Sequence, residues 1–317
     1  MKKPILTILL SLSVMIAMAC DQCSCGLLLG VQPHDHASNI GLQWRMRYLQ
    51  GERAGALPVQ IPKHGGHDHG AGGTLERIEE FYAVTELFGQ AWLSDRFSLS
   101  GSLPVLRNSR MVNGENTARL TGIGDPMLLA RYAVLGSTTG LDTAVVRHRL
   151  TVGLGVKVPL GRTDVSWQGE RLDHDFQPGT GTWDGLLSLE YMVRGRQWGA
   201  SASVLGRYNG GAADGHRMGN SATITAELFR IIPVKGVKLL PSVGGYVEMA
   251  RPESNYGVQE EDTGGNVLFS HLGLRLWWAN LGLAATWQHA LINDLGTAMT
   301  PNRERFTAGI SYSFGRE

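Results

Sequence analysis

The chain has little of what marks several protein classes. Only three of its 317 residues are cysteine, too few for a disulfide-stapled scaffold. Charged residues make up 18% of the chain, and 29 Lys and Arg against 28 Asp and Glu leave a net charge of +1. That balance excludes the basic surface on which a nucleic-acid-binding protein depends. After residue 20 there is no run of about 18 apolar residues, which excludes a membrane-spanning helix.

Glycine, by contrast, is abundant. The chain has 42 glycines, close to twice the share of about 7% found in ordinary proteins. Aromatic residues make up 8% of the sequence. A glycine-rich, charge-poor chain without long apolar blocks has the bulk composition of a membrane β-barrel.

The N-terminus predicts export from the cytoplasm. Lys2 and Lys3 precede an apolar stretch over residues 5–19, which ends in the small-x-small sequence Ala17-Met18-Ala19. This order is typical of a secretory signal peptide over residues 1–19. An uncleaved anchor and lipidation of Cys20 stay open as alternatives, and all three interpretations place the protein outside the cytoplasm.

Apolar residues recur with a period of two along most of the chain. Over residues 306–314 each even position is apolar and each odd position is small or polar. The stretches 268–276 and 281–287 alternate in the same way. Alternation of this kind predicts strands that are buried on one face.

Twelve strands are predicted in this way. They lie near 39–50, 76–93, 96–106, 125–135, 145–160, 184–194, 197–208, 220–231, 236–250, 266–277, 280–291 and 304–314. The long connections between them are 51–75, 107–124, 161–183, 209–219, 251–265 and 292–303. The tight turns are Ser94-Asp95, Gly195-Arg196 and Trp278-Ala279. Outer-membrane barrels pair short periplasmic turns with long external loops and have an even number of strands.

The predicted fold is therefore an all-β, closed, antiparallel, up-and-down transmembrane β-barrel of about 12 strands. Its predicted parts are the signal peptide at 1–19, a periplasmic segment at 20–37 and the barrel at 38–317. We expect it in the outer membrane of a Gram-negative bacterium, with the membrane lipid and the assembly machinery as partners. Aromatic residues near predicted strand ends fit interfacial girdles. These are Trp44, Tyr48, Trp92, Trp198, Tyr208, Trp278 and Trp287.

Three stretches resemble a known family. They are Gly122-Ile123-Gly124-Asp125-Pro126, residues 153–161 (GLGVKVPLG) and residues 177–184 (QPGTGTWD). Together they are similar to the phenol-degradation (meta-pathway) outer-membrane family. The block Cys20-x-x-Cys23-x-Cys25 resembles a subset of such barrels. The resemblance implies an outer-membrane channel or transporter.

The strand phase also predicts the lining of the barrel interior. An Arg or Lys that faces hydrocarbon costs roughly 2–4 kcal/mol at the bilayer midplane, so charged side chains should point inward. Eight basic and five acidic residues fall on that face: Arg45, Arg47, Glu80, Glu86, Arg131, Arg149, Lys157, Glu190, Arg207, Glu227, Lys238, Glu248 and Arg275. Two interpretations stay open, a selective and slightly cation-repelling pore, and a salt-bridged interior that holds the wall in shape.

Two clusters have the composition of metal sites. The first is Cys20, Cys23 and Cys25, followed by His34 and His36. Thiolates with imidazoles suit Zn(II), and thiolates alone suit Cu(I). An oxidised cysteine pair and lipidated Cys20 are the alternatives, because the periplasm is oxidising.

The second cluster is a histidine-rich tract in the first long loop. His64, His67 and His69 lie within six residues, among glycines and Asp68, and such tracts bind divalent metals. A solvated polar loop is the alternative. Two candidate metal sites on either side of one pore suggest the hypothesis that the barrel passes a transition-metal ion or its complex. The hypothesis requires no cofactor, and the metal expected at the two clusters is Zn or Cu.

The sequence does not predict an enzyme. It has no Gly-x-Ser-x-Gly elbow and no His-Glu-x-x-His helix. Asp173, His174, Asp175 and His216 in the predicted loops have no distinctive spacing. The predicted function is a channel that passes a small solute through a charged lumen. A non-conducting structural or metal- and partner-binding barrel is the alternative, and an outer-membrane hydrolase is the third.

Overall fold

The computed structural model describes residues 37–54, 75–136 and 146–315. The predicted signal peptide at 1–19 lies outside these ranges, as does all of the predicted periplasmic segment except residue 37. Both predicted metal clusters also lie outside them. Within the described part, no helix has the length and apolar character needed to cross a membrane.

The described chain is built almost entirely of strands. In chain order they are β1 (Ser38–Ala54), β2 (Leu75–Trp92), β3 (Phe97–Val112), β4 (Glu115–Ile123), β5 (Met127–Leu135), β6 (Arg147–Lys157), β7 (Ser166–Trp167), β8 (Glu170–Arg171), β9 (Asp184–Arg194), β10 (Trp198–Tyr208), β11 (His216–Arg217), β12 (Ser221–Arg230), β13 (Ile232–Val234), β14 (Val237–Ala250), β15 (Glu253–Asn255), β16 (Val258–Glu260), β17 (Gly265–Trp278), β18 (Leu281–Leu295) and β19 (Asn302–Phe314). A single 3-10 turn spans His174–Phe176.

Twelve of these strands close into a barrel. Hydrogen-bonded neighbours run β12-β10-β9-β6-β5-β3-β2-β1-β19-β18-β17-β14, and β12 pairs with β14 to complete the ring. Every pairing around the ring is antiparallel. The predicted closed antiparallel barrel of twelve strands is confirmed.

The wall has one apolar face and one polar face because side chains alternate along each strand. Leu154 on β6 stands opposite Leu187 on β9, and both are more than half exposed. Arg131 and Arg275 are each 7% exposed. In a single-layered closed wall, a buried side chain points into the barrel and an exposed one points away from it. The outer face therefore carries many exposed large apolar side chains, which is typical of a surface that contacts lipid or another protein.

The predicted loop at 107–124 is wrong. Strand β3 continues to Val112, turns at Asn113-Gly114 and returns as β4. Both turn residues have positive φ, 53° for Asn113 and 86° for Gly114. Asn-Gly is the preferred pair for such a tight hairpin, so the signal was present in the sequence. β4 and β5 act as one long strand along β3, interrupted only at residues 124–126.

The aromatic prediction holds for some positions and not for others. Trp198, Tyr208 and Trp278 lie at strand ends and are about 60% exposed. Trp44 and Trp287 lie within β1 and β18, with residues on both sides paired to neighbouring strands. Those two residues belong to the outer apolar face rather than to a girdle at a strand end.

The two ends of the barrel differ in structure. We call the end with the predicted long connections the loop end, and the opposite end the turn end. At the loop end, β7, β8 and the 3-10 turn fall within residues 161–183, which we call the inserted segment. Strands β11, β15 and β16 form a separate small sheet at the same end. The predicted long loops at 161–183, 209–219 and 251–265 therefore carry structure of their own.

The apolar outer face generates a prediction about stability. Replacing Leu154 by Arg puts a charge on the lipid-facing side of β6, which costs roughly 2–4 kcal/mol near the midplane. Leu160 is equally exposed, at 67% against 69% for Leu154, but follows β6 at the loop end. We expect Leu154→Arg to lower the urea midpoint of unfolding in lipid vesicles. Leu160→Arg should leave the midpoint nearly unchanged, and equal effects would contradict the assignment of the outer face.

Candidate functional site

Ion pairs across the lumen are the main polar feature of the barrel interior. Arg47 on β1 donates to Glu248 on β14 at 2.7 Å. Strands β17, β18 and β19 separate these two strands around the wall, so the contact crosses the interior. Arg305 on β19 also donates to Glu248, and its guanidinium lies over the ring of Tyr246. Two neighbouring strands are thereby fixed to the far wall.

Other predicted residues pair along the wall. Arg45 lies 3.3 Å from Glu86 on the adjacent strand. Arg131 on β5 pairs with Glu190 on β9, across the intervening β6. These charges are partnered by oppositely charged groups, as charges removed from bulk water must be.

Towards the turn end, Arg275 and Glu227 form a two-pronged pair. Both terminal nitrogens of Arg275 donate to Glu227, each at 3.0 Å. Ser201 also donates to Glu227 at 3.0 Å, and His271 lies 3.7 Å from it. This group ties β10, β12 and β17 together from the inside.

A second group of charges surrounds Lys157 near the loop end. The Lys157 ammonium is 3% exposed and lies 3.0 Å from Asp125 and 2.7 Å from Asp184. It also donates to the hydroxyl of Thr180. Thr182 donates to Asp184 at 2.7 Å. Two carboxylates and two hydroxyls thus converge with one buried lysine.

The three sequence stretches that carry the family resemblance meet at this lysine. Asp125 accepts hydrogen bonds from the backbone N–H of Gly161 at 2.8 Å and of Thr180 at 2.9 Å. Glycine is required where the stretches touch. A Cβ added to Gly161 would lie 2.6 Å from the Cα of Gly179, closer than real Cβ atoms approach other atoms. One end of the inserted segment is thereby anchored to β5 and β6.

The middle of the inserted segment packs inside the mouth. Phe176 is fully buried and clusters with Leu49, Tyr82 and Leu120 of the wall. Its carbonyl accepts a hydrogen bond from Asn108 on β3 at 3.1 Å. An aromatic side chain of this size contributes strongly to stability when buried.

Two further groups fix the shape of the inserted segment. The fully buried Gln177 side chain donates to the carbonyls of Val165 and Leu172 at 3.0 and 2.8 Å. Arg110 of β3 pairs with Glu80 at 2.6 Å and with Asp173 at 3.0 Å. The segment therefore narrows the lumen at the loop end.

An open cavity lies beside the inserted segment. It lies between β1, β2, β3 and β19 on one side and the Lys157 group on the other. The charged residues that line it are Arg45, Arg47, Asp125, Lys157, Asp175, Arg207 and Arg305.

Most of the predicted lining residues form ion pairs inside the barrel, and three do not appear among the pairs described above. Ten of the thirteen take part in the ion pairs above: Arg45, Arg47, Glu80, Glu86, Arg131, Lys157, Glu190, Glu227, Glu248 and Arg275. Arg207 is buried at the cavity, and Arg149 is half-buried near the start of β6. Lys238 is exposed at the first turn-end residues of β14.

Sequence reasoning missed several charged groups inside the barrel. Arg305 continues the odd-numbered inward set of β19 one residue before the stretch 306–314, so extending that pattern would have found it. Asp125 lies at a strand interruption and Asp184 at a strand start. At such positions the alternation does not tell which face of the wall a side chain is on. Adding Arg305, Asp125 and Asp184 to the predicted set gives nine basic and seven acidic residues, so an excess of basic groups remains.

The loop-end histidines that were considered for catalysis stack on one another. The rings of His174 and His216 are parallel within 8° with centroids 3.9 Å apart. His174 lies 3.4 Å from Asp214, and His216 lies 3.5 Å from Glu253. Burial acts to raise the pKa of Asp214. The hydrogen bond from Arg171 and the charge of His174 outweigh burial, so that pKa lies below its usual value.

These observations do not test the predicted metal ligands. Within residues 37–54, 75–136 and 146–315, no three His, Cys, Asp or Glu side chains are arranged to hold a metal ion. The residues of both predicted sites fall outside those ranges: Cys20, Cys23, Cys25, His34, His36, His64, His67 and His69.

The fold is similar to that of known outer-membrane barrels. The COG4313 outer membrane channel from Pseudomonas putida F1 aligns with a TM-score of 0.59 at 15% identity, over 90% of this chain and 100% of that one. The β-domain of the Bordetella autotransporter BrkA aligns with a TM-score of 0.46 at 15% identity, over 88% and 100%. The translocator domain of NalP from Neisseria meningitidis aligns with a TM-score of 0.39 at 12% identity, over 91% of each chain.

The first of these alignments shows a shared outer-membrane barrel fold. No family model and no curated protein matches the chain. The resemblance to the phenol-degradation family therefore stays a prediction, as does the interpretation of the cysteine block.

The Lys157 group yields a prediction for the inserted segment. Lys157→Met leaves Asp125 and Asp184 without the ammonium between them, and breaking a buried ion pair in this way costs roughly 3–5 kcal/mol. We expect a lower unfolding midpoint in detergent and faster proteolytic cleavage within residues 161–183.

Two comparisons decide whether charge is the cause. Adding Asp125→Asn and Asp184→Asn to Lys157→Met should recover part of the loss, because the stranded carboxylates are then neutral. Lys238→Met removes an exposed lysine and should change neither readout. Equal sensitivity of Lys157→Met and Lys238→Met to protease would contradict the anchoring role.

Proposed function

We propose that this chain is an outer-membrane channel that passes a small solute through its charged lumen. The observation that carries the proposal is the sorting of side chains across a closed single-layered wall. Apolar side chains cover the outside, and paired charges line an interior that contains an open cavity. Lipid on one side and a polar passage on the other is the arrangement that such a wall fits.

The location and orientation follow from the same proposal. The predicted signal peptide supports export, and the outer-membrane lipid and assembly machinery would be the partners of the barrel. Because external loops of such barrels are longer than their periplasmic turns, the loop end faces the cell exterior. The inserted segment then narrows the channel from the outside.

The lumen favours a narrow channel over a wide pore. Twelve strands fall between the barrel of about eight strands that side chains fill and the porin of about sixteen with an open channel. The inserted segment and the cross-lumen contacts of Glu248 reduce the passage further. Similarity to a protein described as an outer membrane channel supports the same function.

A more specific form of this proposal is that the solute is a transition-metal ion or its complex. The cavity wall carries five basic and two acidic side chains, which disfavours a bare divalent cation and leaves an anionic metal complex as the form that fits. The hypothesis depends on the two predicted metal sites, the Cys20–His36 cluster and the His64–His69 tract, and both can be tested by mutation.

Conductance in planar bilayers tests the channel directly. Purified full-length protein should give discrete steps in KCl, far smaller than those of an open porin of sixteen strands, because the inserted segment occupies the mouth. Protein from the same preparation that has been heat-unfolded should give none. A silent membrane with correctly folded protein would reject the channel and favour the non-conducting structural barrel.

Metal stoichiometry tests the narrower hypothesis. We expect bound Zn or Cu to fall in Cys23→Ser with Cys25→Ser, and separately in His64→Ala with His67→Ala and His69→Ala, since each set removes the predicted ligands. His148→Ala with His289→Ala removes two exposed histidines of the barrel wall and should have no effect. Unchanged metal content in both cluster variants would reject metal handling and leave the channel proposal intact.

A further inference from the structure

We infer that the lumen cavity is a binding site for a small organic carboxylate with an apolar body. The inference deepens the proposed function, on which it rests, by naming the class of solute. It comes from the change of the cavity wall from cationic to apolar across four adjacent strands. Two rows of paired positions show the change.

In the first row, Arg47 on β1 stands opposite Arg305 on β19 and opposite Tyr82 on β2. In the second row, Arg45 on β1 stands opposite Val84 on β2, which stands opposite Leu106 on β3. All six side chains line the cavity. The wall is therefore cationic on β19 and β1 and mostly apolar on β2 and β3. Its polar groups there are the Tyr82 hydroxyl and Asn108, which donates to the Phe176 carbonyl.

The apolar side is extended from above and below. Pro104 on β3 and Pro178 of the inserted segment line the same cavity. Pro178 is held there by its close contact with Gly122, where an added Cβ would lie 2.8 Å from the proline ring. Neither proline ring can donate a hydrogen bond, so this part of the cavity suits hydrocarbon.

On the cationic side, arginine nitrogens rather than carboxylates face the solute. Glu86 and Glu248, the partners of the three arginines, have fully buried side chains. Arg47 and Arg305 are like charges placed directly opposite each other, an arrangement that is destabilising without an anion between them. Glu248 supplies one anion from the far wall, and a solute carboxylate supplies a second from the cavity.

Guanidinium groups select for carboxylate geometry. Their planar fork of N–H donors matches the two oxygens of a carboxylate, and such charge-assisted hydrogen bonds are about twice as strong as neutral ones. Of the two acidic residues at the cavity, Asp125 is engaged on the opposite side, where it accepts from Lys157, Gly161 and Thr180. Asp175 belongs to the inserted segment, where it interacts electrostatically with Arg110. An ammonium-bearing solute of the same shape would meet the arginines and be repelled.

The reach of the cavity sets the size of the solute. From β1 to β3 is two strand spacings, roughly 10 Å, which a six-carbon chain spans with its head group. Hexanoate is therefore the probe, with hexylammonium and hexanol as probes of the same length that differ in charge. Binding is measured by calorimetry on the full chain in detergent, and channel block is measured separately in bilayers.

Three variants make the experiment specific. Arg305→Gln removes one cavity guanidinium while Arg47 still pairs with Glu248, and Arg305→Lys keeps the charge without the fork. Arg162→Gln removes an exposed positive charge at the loop end, outside the cavity lining. We expect hexanoate to bind at least tenfold more tightly than hexanol or hexylammonium. Arg305→Gln should weaken hexanoate binding roughly tenfold, Arg305→Lys should weaken it less, and Arg162→Gln should leave it unchanged.

The outcomes separate this inference from the channel proposal. Equal binding of hexanoate and hexanol, or a loss in Arg162→Gln as large as in Arg305→Gln, would overturn the carboxylate site even if the bilayer shows channel steps. Hexanoate binding that depends on Arg305 in a protein that never conducts would uphold the site and reject the channel. If Arg305→Gln does not fold, unchanged affinity in Arg305→Lys relative to the natural protein would overturn the role of the guanidinium fork.

Discussion

The closure of the backbone hydrogen-bond ring is the constraint on which the rest of this structure depends. A strand in hydrocarbon has no water to satisfy its N–H and C=O groups, so an open edge is too costly. Here the pairing of β12 with β14 leaves no edge in the ring. Once the wall closes, alternation along every strand divides the side chains between lipid and lumen. Charged side chains of the wall then point into the lumen, where they form ion pairs with one another.

The charges in the lumen then act as cross-ties rather than as a uniform coating. Glu248 joins β14 to β1 and β19, Glu227 joins β12 to β17, and Lys157 joins three separate parts of the chain. Each buried ion pair gains little net stability over apolar packing, but losing one partner is costly because it strands the other. The ion pairs therefore fix the register of the strands as well as filling the interior. This is compatible with a narrow passage, because the ties leave a cavity between them.

Alternation allowed the sequence to predict the strands, their faces and the strand count, because the two-residue period is a local property. Leu154 and Arg131 could be assigned to opposite faces without any coordinates. The hairpin at Asn113-Gly114 was equally local but was missed because the polar residues around it resemble a loop. The convergence of Asp125, Thr180 and Asp184 on Lys157 could not be predicted in the same way, since it depends on a segment folding back into the barrel over contacts 23 to 55 residues apart.

That convergence also bears on what the family resemblance means. The three stretches that carry it contain the residues that meet at Lys157, and glycines such as Gly161 and Gly179 occur where two backbones touch. Their physical role in this chain is to hold the inserted segment in the mouth. The residues that turn the cavity wall from cationic to apolar, among them Arg305, Val84 and Leu106, lie outside those stretches. A barrel can therefore share the stretches, and with them the narrowed mouth, while differing in the opposite wall, which selects the solute in the function proposed above.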